Sequence, residues 1–440
     1  MQGYGEYAAS QGEWLGALPS HWECKKIGSL FTERKTKVSD KDYSPLSVTK
    51  MGILPQLEHA AKSNDGDNRK LVCAGDFVIN SRSDRKGSCG VSELDGSVSL
   101  INLILTPRGQ WNNRYAHYLL RSQLFSEEYY RNGRGIVADL WTTRYSEMKS
   151  ILLPVPPRDE QDQIVRFLDW KVSSINKLIG VKQKQIAALK EFMQAEIEKQ
   201  LYAYPVKETV RLKHLGTFFK GGGFSRDNLV EEEGYPAILY GDIYTQYEYK
   251  TAVINHGIDG AAYSASRKIS KGDIVMAGTG ETKDEIGKSI LYMGDEIVAA
   301  GGDVIVFHPN EGINVEYLLY QLYSQAALKH RYINGKGDII VHIYPTALGN
   351  TIITLPGATD QKKTVARINE IIEQVKKAIS VLTDEISVLR EYRVRLVADV
   401  VTGKIDVRGI EIPEYEFVDE DADGGAEDAD GEEDTEEQED

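Results

Sequence analysis

The feature that most constrains how this chain can fold is an internal repeat at an offset of 200 residues. Pro156-Pro157-Arg158-Asp159-Glu160-Gln161 corresponds to Pro356-Gly357-Ala358-Thr359-Asp360-Gln361. Downstream, Val165 matches Val365, Ile175 matches Val375, Ile179 matches Ile379, Ile186 matches Ile386 and Leu189 matches Leu389, all without a gap. Self-similarity on this scale means that one structural plan has been used twice.

The periodicity says what is repeated. In the second copy, apolar residues fall at Val365, Ile368, Ile372, Val375, Ile379, Leu382, Ile386, Leu389, Leu396 and Val400. The steps alternate three and four, broken only at Arg393, which is the seam of a coiled coil. The first copy keeps the register through Val165, Leu168, Val172, Ile175, Ile179, Ile186, Leu189 and Met193, with Lys182 as its interruption. Asp159 and Thr359 are placed to cap the helix starts, and the ends are expected near Tyr204-Pro205 and Gly403. Each helix of roughly 45 residues is about 65 Å long, too long to hide its seam in a small domain. The economical solution buries the two seams against each other. Lys182 and Arg393 then either pin the register or extend to solvent.

Ahead of each helix lies a region of about 150 residues with strand character. Gly75-Asp76-Phe77-Val78-Ile79 recurs as Gly272-Asp273-Ile274-Val275-Met276. Leu103-Ile104-Leu105-Thr106-Pro107 resembles Val304-Ile305-Val306-Phe307-His308-Pro309. Tyr115 and Ser122 match Tyr317 and Ser324 at an offset of 202, and Gly135 matches Gly335 at 200. These matches need gaps, so the plan is shared while the surfaces have diverged.

Charge matters at this point because the net −15 argues against a polyanionic partner. Residues 419–440 hold 14 Asp or Glu and no Lys or Arg, however, and so account for all but one unit of it. A disordered acidic tail is expected there. Cys24, Cys73 and Cys89 form no CxxC pair, which fits a reducing compartment better than a disulfide framework or a zinc site. No apolar run approaches the roughly 20 residues of a membrane helix, and the first residues lack the pattern of a signal peptide. A soluble cytoplasmic protein is expected.

The order of these elements resembles the specificity subunit of type I restriction-modification systems. The likeness runs over about residues 11–410. It rests on Glu13-Trp14-Leu15-Gly16 and Leu18-Pro19-Ser20-His21-Trp22-Glu23 at the entry, Pro156 to Gln161 at the first helix, and Val401-Thr402-Gly403-Lys404-Ile405-Asp406 at the close. Leu355-Pro356-Gly357 departs from the double-proline form. The resemblance implies an α+β chain in which two α/β target-recognition domains (1–155 and 206–355) alternate with two long helices (156–205 and 356–407). The helices would pack as an antiparallel coiled coil with internal pseudo-twofold symmetry, followed by a tail over 408–440. It also implies a non-catalytic reader of double-stranded DNA, with one half of a bipartite target per domain. Two methyltransferase subunits carrying S-adenosylmethionine would bind it, and restriction subunits using ATP and magnesium would join through them. No cofactor or metal is expected on this chain. Pseudo-twofold geometry also suits duplex DNA on physical grounds.

Candidate DNA-contacting residues come from loops after the matched strands. In the first domain Asn80, Ser81, Arg82, Arg85 and Lys86 combine an adenine-type amide with cations suited to guanine and phosphate. The corresponding loop of the second domain offers Thr279, Lys283 and Lys288, with acids among them. Arg131 and Arg134, and Lys336 opposite them, sit beside glycines that permit close backbone approach. Each group has an ordinary reading as a solvated loop or turn. Residues 1–153 carry 20 Lys or Arg against 17 Asp or Glu, whereas residues 206–355 carry 14 against 18, so the second domain is expected to depend more on its partners.

Catalytic readings fare poorly. Thr282-Lys283-Asp284-Glu285-Ile286-Gly287-Lys288-Ser289 ends like a phosphate-binding loop, but Thr282 replaces its first glycine and two acids line it. The sequence has no HExxH and no Asn-Pro-Pro-aromatic motif. The other class left open is a coiled-coil scaffold with two domains for non-DNA ligands.

Overall fold

The computed structural model describes residues 2–56, 66–109, 111–135, 141–230 and 234–418. The acidic run 419–440, expected to be disordered, lies outside them. The chain divides into two compact units, Met1–Lys184 with Leu382–Asp440, and Gln185–Val381. Each unit therefore takes one globular region and a part of both long helices.

In the first unit, β1 (Phe31–Glu33), β2 (Phe77–Asn80), β3 (Cys89–Val91) and β4 (Asn102–Pro107) form an antiparallel sheet in the order β3-β2-β4-β1. Leu103 stands opposite Ile79 and Ile104 opposite Val78. Both central strands are apolar on both faces because the sheet is covered on both sides. Two helices follow, α1 (Asn113–Arg121) and α2 (Gln123–Arg131), capped by the side chains of Asn112 and Ser122. Then come strand Leu152–Val155 and the first long helix, α3 (Arg158–Leu201).

The second unit repeats this framework. β5 (Gly216–Lys220), β6 (Ile274–Ala277), β8 (Ser289–Tyr292) and β9 (Val304–Pro309) take the order β8-β6-β9-β5, and Lys250–Thr251 extends the sheet beyond β8. The short β7 (Thr279–Gly280) lies between β6 and β8 in the chain. Helices α4 (Val315–Leu322) and α5 (Gln325–Asn334) carry the same caps, Asn314 and Ser324. They are followed by the short β10 (Val341–His342), strand Ile352–Leu355 and the second long helix, α6 (Ala358–Val401). A second sheet, built from Leu229–Val230, His256–Ile258, Tyr235–Ile238, Val298–Ala300 and Arg267–Ile269, belongs to this unit.

The matched residues do matching work. Asp76 and Asp273, both buried, follow glycines with φ near +90°. Each carboxylate accepts from its own turn, Cys73 N at 2.9 Å and Ser270 N at 2.8 Å. Each also ties to the neighbouring strand, through Thr106 Oγ1 at 2.8 Å and His308 Nδ1 at 2.5 Å. Tyr115 and Tyr317, fully buried, donate their hydroxyls to the carbonyls of Pro154 (3.3 Å) and Thr354 (3.1 Å). A buried phenol needs such a partner.

The helix starts differ from expectation. Asp159 and Thr359 lie inside the first turns of α3 and α6 and do not occupy the capping position. Gln161 Nε2 and Gln361 Nε2 instead donate to Pro156 O and Pro356 O, each at 2.9 Å, closing the turn from within. The first helix stops at Leu201, three residues short of Tyr204. The second stops at Val401, where Gly403 takes φ +74°. Gly403 N donates to Val400 O and Lys404 N to Asp399 O, a Schellman closure that requires a left-handed residue at this position.

Within the first unit α3 and α6 run antiparallel. Asn176 meets Arg393 and Lys182 meets Glu385, so one helix ascends in number as the other descends. The two interruptions of the apolar seam are therefore polar cross-links. Arg393 Nη1 donates to the buried Asn176 Oδ1 at 2.6 Å, and Lys182 Nζ lies 2.6 Å from Glu385 Oε2. In the second unit Ile197 and Leu201 share a buried cluster with Ile368 and Ile372, again antiparallel. Residues 408–418, joined to the tail in the sequence reading, lie on the first unit instead. Val418 bonds Ser173 and Asn176, and Phe417 packs under the Arg114 guanidinium. Among the described residues all three cysteines are free, and no helix is long and apolar enough to cross a membrane.

Candidate nucleic-acid interface

In the first unit, β2 ends in Asn80 and opens into a loop with a 3₁₀ turn at Ser83–Arg85. Asn80 and Ser81 are buried. Asn80 Oδ1 accepts from Arg82 N at 3.0 Å, and Ser81 O accepts from Thr143 N at 3.0 Å. Both residues thus shape the loop from beneath, and their burial removes them from direct contact with a ligand in this conformation. Arg82 is half-buried and bridged to Thr142. Arg85 lies 3.8 Å from Asp84, and its carbonyl accepts from Tyr130 Oη. Lys86 is exposed, pairs with Glu127 at 2.6 Å and lies over the Tyr130 ring.

The second candidate segment meets the first. Arg134 and Thr142 exchange backbone hydrogen bonds of 2.9 and 3.0 Å, Ser83 N donates to Trp141 O, and Arg82 bridges the same Thr142. Thr142 is thus a single rib between two loops chosen separately from the sequence. Arg131 turns back into a bidentate pair with Glu128 at 2.7 and 2.9 Å, which raises its pKa through that hydrogen bond. Arg134 projects furthest, with a side chain 84% exposed and Glu147 3.9 Å away.

The second unit builds the same junction with other side chains. β7 pairs with β10, Thr279 opposite His342, and Lys336 bridges His342 from the far side. Thr279 is buried, with Oγ1 2.9 Å from His342 Nδ1. Lys283 is half-buried and 3.6 Å from Asp338. Lys288 turns inward to donate to Tyr244 O at 3.1 Å, and burial pushes its ammonium pKa down. Lys336 is exposed at the head of a tip that carries Ile339 and Ile340 into solvent.

Three residues at this junction escaped the sequence reading. Asp303, with φ +60°, is the one non-glycine at positive φ among the described residues. Its carbonyl accepts from Gly278 N at 2.7 Å, and its carboxylate pairs with Lys220 at 2.7 Å. The Lys220 hydrogen bond is the chief reason that the carboxyl is held below its ordinary range, with a hydrogen bond from Thr279 adding to it. Lys220 precedes the run Gly221-Gly222-Gly223, and His342 stands 200 residues after Thr142. Those two signals were available in the sequence.

Residues 206–386 match the family model described as the type I restriction modification DNA specificity domain. Comparison with curated proteins finds no match. Among solved structures, a chain from work on complex assembly and conformational transition of the type I R-M system aligns at 16% identity with a TM-score of 0.63. That alignment covers 88% of this chain and 99% of that one. The HsdS subunit from Thermoanaerobacter tengcongensis aligns at 15% identity and TM-score 0.44, over 88% and 98% of the two chains. The type I restriction-modification S subunit from M. genitalium aligns at 17% and 0.34, over 90% and 97%.

Proposed function

From the match of residues 206–386 to the type I restriction modification DNA specificity domain, we propose that this chain is the non-catalytic reader of a type I restriction-modification system. Each recognition region takes one half of a bipartite, asymmetric duplex target. The observation that carries this reading is the junction built twice on one framework with different side chains. Arg82 faces Thr142 in one unit, and Thr279 faces His342 in the other. A repeated scaffold with divergent polar residues at its exposed end suits two readers of two different sequences. Arg82, Arg85, Lys86 and Arg134 supply the cations in the first, and Lys283 and Lys336 in the second. Asn80, Ser81 and Lys288 support the loops, and Arg131 is engaged by Glu128.

The long helices set the separation of the half-sites and dock the methyltransferase subunits. Supporting the second role, each helix carries exposed apolar residues immediately before seam positions, two pairs of them 200 apart, Val181 with Val381 and Phe192 with Tyr392. Leu178, Val181, Val388 and Tyr392 are exposed in the first unit, Phe192 and Val381 in the second. Exposed apolar stripes of this kind mark protein contacts. S-adenosylmethionine, ATP and magnesium then belong to the partner subunits, two for modification and, where present, two for restriction. Co-expressing the chain with its methyltransferase and mapping methylated adenines genome-wide tests the reading. A bipartite motif with an unspecified spacer is expected, and methylation without one refutes it.

A further inference from the structure

The first unit carries a stretch of cations beside its junction that the reading loops do not include. Thr143 N donates to Ser81 O at 3.0 Å, and Arg144 follows directly, at the head of the short helix Tyr145–Met148. Lys149 ends that helix, and its carbonyl accepts from Gly28 N at 3.0 Å. Lys26 closes strand Glu23–Lys26 and leads into helix Ile27–Leu30. Leu30 O in turn accepts from Arg108 N at 2.7 Å, just past β4. Backbone hydrogen bonds thus hold Arg144, Lys149, Lys26 and Arg108 along one continuous stretch, and all four are exposed. Arg108 Nε donates to Thr32 Oγ1, and among the described residues none of the four forms an ion pair with a carboxylate. Glu147, the acid on this stretch, accepts from Ser146 Oγ at 2.7 Å and lies 3.9 Å from Arg134 of the junction.

The fold itself does not call for these charges. The second unit makes the same backbone bonds, Lys213 N to Gly349 O at 2.9 Å and Asn310 N to Leu215 O at 2.8 Å, and Tyr344 heads its short helix Pro345–Leu348. Asn310, Tyr344 and Gly349 therefore stand where the first unit has Arg108, Arg144 and Lys149, and a cation is kept only at Lys26, as Arg211. Nor does the stretch resemble a protein contact, whose centre is apolar. Among the described residues no exposed large apolar side chain falls within 23–31 or 144–151. Cations gathered without counter-ions raise the local potential, and a polyanion is the ligand that such a surface attracts.

We propose that Arg108, Arg144 and Lys149, together with Lys26, bind the sugar-phosphate backbone of duplex DNA beside the half-site read by the first unit. They are positioning contacts, which hold the duplex in register and carry no sequence information. The backbone then runs from Arg134 at the junction past Arg144 and Lys149 toward Arg108. The inference rests on the DNA-reading function proposed above and adds a phosphate-binding surface that the second unit does not share.

The test uses the full-length chain complexed with its methyltransferase, and measures affinity for a duplex carrying its methylation motif over a series of salt concentrations. Arg108→Ala, Arg144→Ala and Lys149→Ala combined should reduce the slope of log affinity against log salt by about 2.7, at about 0.9 per phosphate contact. Each single variant should reduce it by about 0.9, and the methylated motif should stay unchanged throughout. Arg108→Lys, Arg144→Lys and Lys149→Arg combined keep the charges and should keep the wild-type slope. Thermal unfolding identifies any variant that has not folded, and the single variants carry the test if the combined one has not. Lys35→Ala, Lys37→Ala and Lys41→Ala combined remove the same charge from exposed positions of the same unit and should leave the slope nearly unchanged. A wild-type slope in the folded alanine variants, or an equal fall in both sets, would overturn the inference while leaving the reader function intact. Loss of the methyltransferase at an unchanged slope would make the stretch a protein contact, and a base preference altered at one position would make it a reader; either result overturns the inference. No bipartite motif in the wild type would remove the reader function itself, and this inference with it.

Discussion

The polar cross-links inside the helix pair make a quantitative prediction about what holds its register. Asn176 is 2% exposed, and its Oδ1 accepts from Arg393 at 2.6 Å while its Nδ2 donates to Val418 O at 3.1 Å. Arg393→Ala strips a charged donor from a buried acceptor, which costs about 2 kcal/mol. For a unit of this size the unfolding midpoint falls by about 4–8 °C. Lys182→Ala removes a bond of the same length, but Glu385 is 49% exposed and water replaces the lysine. That loss is about 0–1 kcal/mol, or at most about 4 °C. Replacing both Arg393 and Asn176 by Leu removes donor and acceptor together, so it should recover most of the Arg393→Ala loss despite the lost bond to Val418. Thermal unfolding of the full chain, followed by circular dichroism, measures all three. Equal losses for Arg393→Ala and Lys182→Ala would refute the reasoning, as would a double Leu variant less stable than Arg393→Ala.

Other consequences are as direct. Gly403→Ala forces a left-handed residue and sets its Cβ 2.5 Å from Pro19 Cδ and 3.0 Å from Trp22, so stability should fall by about 1–3 kcal/mol in denaturant titration. Arg134→Ala should weaken DNA binding across sequences and reduce the slope of log affinity against log salt by about 0.9, because an exposed cation suits a phosphate. Arg131→Ala, whose guanidinium is held by Glu128, should leave that slope nearly unchanged. Removing seven residues from each long helix, about 10.5 Å, keeps the seam in register and should shorten the tolerated spacer by about three base pairs. An unchanged spacer in the methylation motif would show that the helices do not set it.

What the sequence revealed divides along a physical line. The helix pair was legible because its signal is local, with apolar residues three and four apart identifying a seam wherever the partner lies. Asp76 and Asp273, Tyr115 and Tyr317, and Ser122 and Ser324 were legible as matches because both copies need the same buried polar contacts. The fate of Lys182 and Arg393 was not, since Glu385 and Asn176 are some 200 residues away in the chain. The helix starts were misassigned for a related reason. A glutamine that donates to a proline carbonyl holds the turn entering each helix, and local propensity does not separate that arrangement from a capping Asp or Thr. In the candidate interface, both loops of the first domain were singled out as candidates, yet their meeting at Thr142 depends on a strand bridge across about 60 residues. Asn80 and Lys288 carry the right chemistry for DNA, and only burial shows that they face the loops they support. Asp303 was invisible because a positive φ at an aspartate is imposed by its neighbours and leaves no mark in composition.

The central claim is that the two recognition regions read separate halves of one target, and domain exchange tests it most directly. Residues 1–155 are replaced by the corresponding region of a type I specificity subunit, the chimera is co-expressed with the methyltransferase, and adenine methylation is mapped. The account predicts that one half of the bipartite motif changes while the other half and the spacer are kept. A motif that changes in both halves, or in neither, would contradict it.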